Sequence, residues 1–267
     1  MHFPGSQFFR NLVDRRSLLF QMVRRDFEKR FVGSAAGWLW GVIHPIVLLL
    51  SWTFVFGFVL KVPAGDGVQN YPLWLFSGFL PWLLFQDTVT RSSTSLIEQS
   101  NLLKKTIFPA EIVPLSIFLS SLIHHAIGLA LAVGAVAIWL HHLSVMLVFL
   151  PIYMLAVGLF AVGIGWLVAA LHVYLRDTAQ VLAVAITLWF WVTPIFIPES
   201  SYPRGWPRLL IAANPMAYVV RGYRALLLTD RPPNFQELAV AMTFAVVTFF
   251  LGGLFFRYLK RGFVDVL

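Results

Sequence analysis

Long apolar runs alternate along the chain with short charged ones. Six runs are apolar enough to span a hydrocarbon layer of roughly 30 Å, at about 38–60, 71–89, 112–140, 143–171, 178–197 and 238–256. The second is the least apolar, with Pro72 and Pro81 inside it and Asp87 near its end. Lipid offers no partner to bare backbone N–H and C=O groups, and no run alternates as a barrel strand would. All six are therefore predicted to be helices.

A different pattern precedes the first run. Over residues 19–31 helical spacing puts Leu19, Phe20, Val23, Phe27 and Phe31 on one face. Arg25, Asp26, Glu28 and Lys29 take the other face, while Arg24 and Arg30 flank the stripe where their stems can snorkel. That predicts an amphipathic helix lying in the inner membrane interface. Gly33, Ser34 and Gly37 let the chain turn into the first span, where Trp38 and Trp40 sit at head-group level. The plainer alternative is a topology signal and nothing more.

The stretch 198–237 is too long for a simple connection. Asn214 followed by Pro215 reads as a helix start, a capping amide and then a proline whose missing N–H costs nothing. Met216, Val219, Val220, Tyr223, Leu226 and Leu227 recur at helical spacing after it, with Arg221 and Arg224 to one side. A short helix over 206–212 is expected before it. Two such pieces predict a re-entrant hairpin between the fifth and sixth spans, held against protein or water rather than lipid. It would form an outer gate of Asn214, Pro215, Tyr218, Arg221, Tyr223 and Arg224, with the two arginines meeting carboxylates or phosphates. The alternative is an amphipathic helix resting on the outer surface.

Composition sharpens this picture. Of 267 residues 59% are hydrophobic and 12% charged, about half the charge of a soluble domain. The expected class is an all-α integral membrane protein, with residues 1–37 a cytoplasmic tail and interfacial helix and 38–267 the six-helix domain. The chain has no cysteine, which excludes disulfides and thiolate metal sites. Its first twenty residues lack the apolar run and small-residue site of a cleaved signal.

Net charge is +8. In such a chain basic residues set orientation and meet anionic lipid, so nucleic acid is not an expected partner. Seven Lys or Arg precede Trp38, three lie over 91–105, and Arg176 and three after Phe256 bring the inner total to fourteen of twenty. Both termini are thus expected in the cytoplasm. Five arginines between the last two spans remain as an anomaly on the outer side.

Little supports catalysis. His44, His124, His125 and Asp87 lie in apolar runs and His141 and His142 in a turn, with no metal-binding spacing. Adjacent His124 and His125 point to different helix faces and read as packing or hydrogen-bonding residues. Neither a phosphate-binding GxxxxGK[ST] loop nor GxGxxG is present, so ATP hydrolysis by that machinery is excluded. Inner-side elements suit docking instead. In "IEQSNLLKKTIFPAEIVP" Ser100 or Asn101 can cap a short helix that Pro109 stops, and in "HVYLRDTAQV" Asp177 or Thr178 can cap the fifth span.

The stretches "RRDFEKRFVGSAAGWLWGVIHPI", "NLLKKTIFPAEIVP", "YLRDTAQV" and "NPMAYVVRGYRALLL" resemble, in order, bacterial ABC export permeases for cell-surface polysaccharides such as O-antigen, capsule and teichoic acid. The resemblance implies an inner-membrane homodimer joined to two copies of a separate ATPase, which would carry ATP and Mg. This chain would need no cofactor of its own. It also implies a channel at the dimer interface lined by the first and fifth spans, and leaves room for a periplasmic export partner. Asn101, Leu102, Leu103, Lys104, Lys105, Ile107 and Phe108 would belong to the coupling helix, and Arg176 and Asp177 to the second inner loop.

Aromatic residues fit such a cargo, since ring faces pack on sugar C–H faces without fixing a register. The chain has 25 Phe, 10 Trp and 7 Tyr, and Trp38, Trp40, Trp52, Phe56, Trp189, Trp191 and Phe196 are the expected channel-lining set, of which only some would touch substrate. Rival readings are an ABC permease for a drug or lipid, and a membrane transferase for lipid-linked sugars. The latter would have to rely on Asp87, Glu111 or Asp177.

Overall fold

The computed structural model of the chain describes residues 15–30, 37–65, 67–68, 70–101, 109–141, 143–229 and 231–266, apart from the side chains of Trp38, Val264 and Asp265. Every regular element among them is helical. Helix α1 spans Arg16–Lys29 and α2 spans Trp40–Trp52, which runs on as a π-helical stretch, Thr53–Val59. Then come α3 (Tyr71–Glu98), α4 (Ile112–Leu140) and α5 (Leu150–Tyr174). They are followed by α6 (Thr178–Val192), α7 (Trp206–Ala213), α8 (Pro215–Leu228) and α9 (Phe235–Leu259).

Caps and prolines set these boundaries. Asn70 accepts from Leu73 N to open α3, Ser144 accepts from Met146 N ahead of α5, and Asn234 accepts from Gln236 N and Glu237 N to open α9. Pro72, Pro151, Pro207 and Pro215 all fall in first turns, where their missing N–H groups are not needed. Helix α4 ends at His141, which takes the left-handed conformation with φ 52°. Asn214 accepts from Met216 N ahead of Pro215, and α7 precedes it, so both helices of the outer segment form as the sequence pattern predicts.

Helix α3 is the most enclosed element. Trp74, Leu75, Phe79, Trp82, Phe85 and Val89 are buried against Tyr153, Val157 and Phe160 of α5 and Val220 and Tyr223 of α8. Helices α5 and α9 approach closely through glycine. A Cβ on Gly163 would stand 2.6 Å from the Thr248 carbonyl oxygen, and one on Gly252 would run into the Gly163 carbonyl. At the other extreme, α2 and its π-helical extension bury no residue within the subunit, and α6 buries only Ile186.

Four stretches among the described residues are long and apolar enough to cross a membrane: Trp40–Val59, Ile112–Leu140, Val145–Tyr174 and Phe235–Gly262. The sequence pattern predicts six. Helix α3 has 28 residues, yet Gln86, Asp87 and its Ser/Thr-rich end dilute its apolarity. Helix α6 stops after 15 residues at Thr193–Pro194. At about 1.5 Å per residue it is roughly 22 Å long, short of the hydrocarbon thickness.

Candidate functional site

Where the end of α1 meets α3 and α4, four charged side chains come together. Arg30 donates to Asp87 Oδ2 at 2.7 Å and to Ser121 Oγ at 3.0 Å, and Ser121 Oγ donates to the same Asp87 oxygen at 2.6 Å. Arg91, one turn beyond Asp87, donates to Asp26 of α1. Two cations and two anions cancel. Burial lowers the Arg30 pKa from its ordinary value, with the Asp87 charge opposing that shift.

This corrects two expectations for the interfacial helix. Arg30 does not snorkel: its side chain is 17% exposed and faces α3 and α4. Asp26, assigned to the watery face, points to Arg91. A charge on a half-covered helix is more stable against a fixed partner than in an apolar interface. Arg24 does stay outside, in an exposed pair with Glu28 at 2.7 Å, and Arg25 and Lys29 line a shallow surface pocket with Asp26. Phe27 packs on the His124 ring, whereas Phe20 is 70% exposed.

Beside the quartet lies a cavity of about 400 Å³, lined by Trp40 and His44 of α2, Leu80 and Asp87 of α3, and Ser121 and His124 of α4. His125, on the next face of α4, is buried and shares a 3.0 Å hydrogen bond with the Tyr223 hydroxyl of α8.

The aromatic set divides by burial. Phe196 is buried and Trp52 and Phe56 pack on it, with ring centroids 4.8 and 4.6 Å away. Trp189 faces inward against Phe85 and Trp82. Trp40 and Trp191 are more than half exposed, while the Trp38 side chain lies outside the described groups. The structure thus brings Trp52, Phe56, Trp189 and Phe196 into one cluster, with the exposed Trp191 ring stacked 5.5 Å from Phe196, and sets Trp40 apart at the cavity.

In the outer segment the two arginines have different partners. Arg221 donates to Glu237 Oε2 at 2.8 Å and to Glu199, and its ring neighbour Tyr218 lies 4.6 Å below the guanidinium. Burial works against the Arg221 charge, but the Glu237 bond and Glu199 hold its pKa above the ordinary value. Arg224 also meets backbone carbonyls. It is buried, stacks 3.5 Å from the Trp74 ring, and donates to the carbonyls of Pro194 and Ile195 at 2.8 Å each and of Trp74 at 3.2 Å. The reason is local: Pro194 breaks α6 and frees carbonyls that need donors. Tyr223, with Asn214, is buried too, while Pro215 and Tyr218 stay partly open.

Of the coupling residues, Leu102, Leu103, Lys104, Lys105, Ile107 and Phe108 lie outside the described residues. Ser100 and Asn101 are themselves helical, so neither sits at a cap. Arg176 and Asp177 are exposed in the turn between α5 and α6. Asp177 occupies the cap position of α6 without a side-chain hydrogen bond. Sequence reasoning missed Ser121, Glu199, Glu237 and Trp74 as partners. Nothing in local spacing marks them, since each meets its arginine across 16 to 150 residues of chain.

Comparison with known proteins fits this architecture. Residues 17–228 match the family described as ABC-2 type transporter. An O-antigen export system permease protein RfbA of Myxococcus xanthus is 28% identical over 263 residues, covering 96% of this chain and 97% of the relative. Two proteins of the same description from Klebsiella pneumoniae are each 25% identical over 253 residues, 94% of this chain and 95% of theirs. Members of that family are transport subunits whose ATPase is carried by a separate chain. With four apolar candidate spans, this is a multi-pass membrane protein. It belongs to the ABC-2 type transporter family.

Proposed function

We propose that the chain is the transmembrane subunit of an ATP-driven exporter that moves a polysaccharide, carried on a lipid, across the bacterial inner membrane. The observation that carries this reading is the similarity, over nearly the full length of both chains, to O-antigen export system permeases. The working assembly is a homodimer with two copies of the ATPase, and its channel runs between α2 and α6 of the two copies. The bare flanks of those two helices support that arrangement, because each leaves large apolar side chains without cover in its own subunit. Six segments cross the membrane in this reading: α3 does so shielded by protein on most sides, and α6 is completed by the non-helical stretch after Thr193. Both termini lie in the cytoplasm, with α1 in the inner interface.

The outer helices α7 and α8 form a re-entrant hairpin at the exit. Depth supports this: Tyr223 meets His125, about 22 Å along α4 from its far end at Leu140. Because Met216, Val219, Val220 and Tyr223 are buried inside the subunit, contact across the exit falls to α7, whose Trp206, Leu209 and Leu210 are exposed.

The test is genetic and chemical together. Deleting the permease, or its ATPase, should remove polysaccharide from the cell surface and leave lipid-linked chains inside, with the wild-type gene restoring export. Undiminished surface polysaccharide in the deletion would overturn the reading.

A further inference from the structure

Helix α6 is held unevenly along its length. Val181, Val184 and Leu188 are each more than 60% exposed within the subunit, and only Ile186 is buried. Among the described residues, the side-chain hydrogen bond at its first turn is the Thr178 Oγ1 donation to Leu175 O, and Asp177 makes no capping bond. The far end differs. Asn214 is buried there and makes three hydrogen bonds: Nδ2 donates to Thr193 Oγ1 at 2.9 Å, while Oδ1 accepts from Trp189 Nε1 at 2.8 Å and from Met216 N at 3.0 Å. Further along α8, Arg224 takes up the Pro194 and Ile195 carbonyls and the Trp74 carbonyl of α3.

The room for this clamp is itself built in. A Cβ on Gly78 of α3 would stand 2.6 Å from Arg224 Nη2, and a Cβ on Gly222 would run into the Tyr153 ring of α5. Glycine therefore lets α8 seat deeply enough for Arg224 to reach the break. Helix α8 has nine buried residues.

We infer that the Asn214–Arg224 clamp is a pivot: the Pro194 end of α6 stays fixed to α8 and α3 while its Thr178 end swings, with Asn214 and Arg224 as the positioning residues. Moving the clamped end would leave buried donors and acceptors unpaired. Moving the other end breaks few contacts, and that end adjoins the exposed Arg176–Asp177 turn. Such motion is a hinge at a helix break rather than a shear of packed helices. The inference rests on the exporter reading for its biological purpose, but not for its geometry.

Two measurements on the purified permease–ATPase complex test it. Spin labels on Gln180 and Tyr258 report the Thr178 end of α6 against α9, and labels on Leu188 and Leu140 report the clamped end against α4; all four sites are exposed. Between the nucleotide-free and the ATP–vanadate state the first distance should change by several ångströms and the second should hold. A second pair that shifts as much as the first, or a first pair that does not move, overturns the pivot. In vesicles, Asn214→Ala should lower polysaccharide exported per ATP hydrolysed at least threefold at normal complex yield. Asn214→Asp, which keeps both acceptor bonds, should recover part of that ratio. An Asn214→Ala complex with an unchanged ratio would reduce Asn214 to a structural residue and overturn its role. If Asn214→Ala does not assemble, the spin-label distances alone decide. A wild-type complex with no ATP-dependent export overturns the exporter reading instead, while the labelled distances still report on the pivot.

Discussion

Arg30 and Asp87 illustrate how little a charged residue reveals about its partner from sequence. Their 2.7 Å pair is partly buried, and Ser121 completes it. Removing one member leaves an uncompensated charge in a poorly solvated place, at a cost of about 1–3 kcal/mol. Arg30→Ala and Asp87→Ala should each lower the apparent melting temperature of the detergent-solubilised permease by several degrees, followed by tryptophan fluorescence. The double variant should be no worse than the poorer single one; full additivity would mean the pair is not coupled. What was legible beforehand was that Asp87, an ionisable group in an apolar run, needed an explanation. Its partner was not, because the two lie 57 residues apart and the helical stripe of α1 reads equally well with Arg30 reaching for lipid. The carbonyl partners of Arg224 were hidden for a related reason. Pro194 was visible, but the carbonyls it frees acquire a donor only through the seating of α8.

Helices were more readable than their surroundings. The 112–140 run and α4 coincide, and Asn214–Pro215 begins α8 as the capping logic requires. The least apolar run became the best-packed helix: α3 is enclosed by α4, α5 and α8, so its Ser, Thr and aromatic side chains meet protein rather than lipid. Periodicity carries no record of which neighbour a face will meet. Nor did it mark the α5–α9 approach, which depends on Gly163 and Gly252 lacking a side chain. Gly252→Leu should force these helices apart and reduce the yield of folded permease severely, whereas Gly134→Leu on α4, whose Cβ position meets nothing within 4 Å, should be tolerated. Equal yields in a detergent size-exclusion assay would show that close approach is not required. A third expectation concerns α7: cysteines at Leu209 or Leu210 should cross-link between copies and block export reversibly, while cysteines at buried Val220 or Leu226 should not react. Cross-links confined to α8 would remove α7 from the exit.

At the scale of the molecule, fourteen of twenty basic residues fall on one side of the proposed topology. A cysteine at Arg176 should therefore resist an impermeant thiol reagent added to intact cells, and one at Arg204 should react if the outer membrane is permeabilised. The reverse pattern would invert the topology. Labelling needs no background removal, since the chain has no cysteine.

The charge quartet also has a consequence for anyone building hybrids of these permeases. Its members come from two regions of the gene: Asp26 and Arg30 lie upstream of the first membrane run, Asp87 and Arg91 at the end of the second. A crossover anywhere between them joins one parent's half to the other parent's half, and a hybrid with mismatched signs inherits two like charges in a cramped site. Junctions placed after Ser121 keep all five polar groups together. Productive recombinants should cluster there, and those cut between Arg30 and Asp87 should be scarce unless both parents happen to carry the same signs.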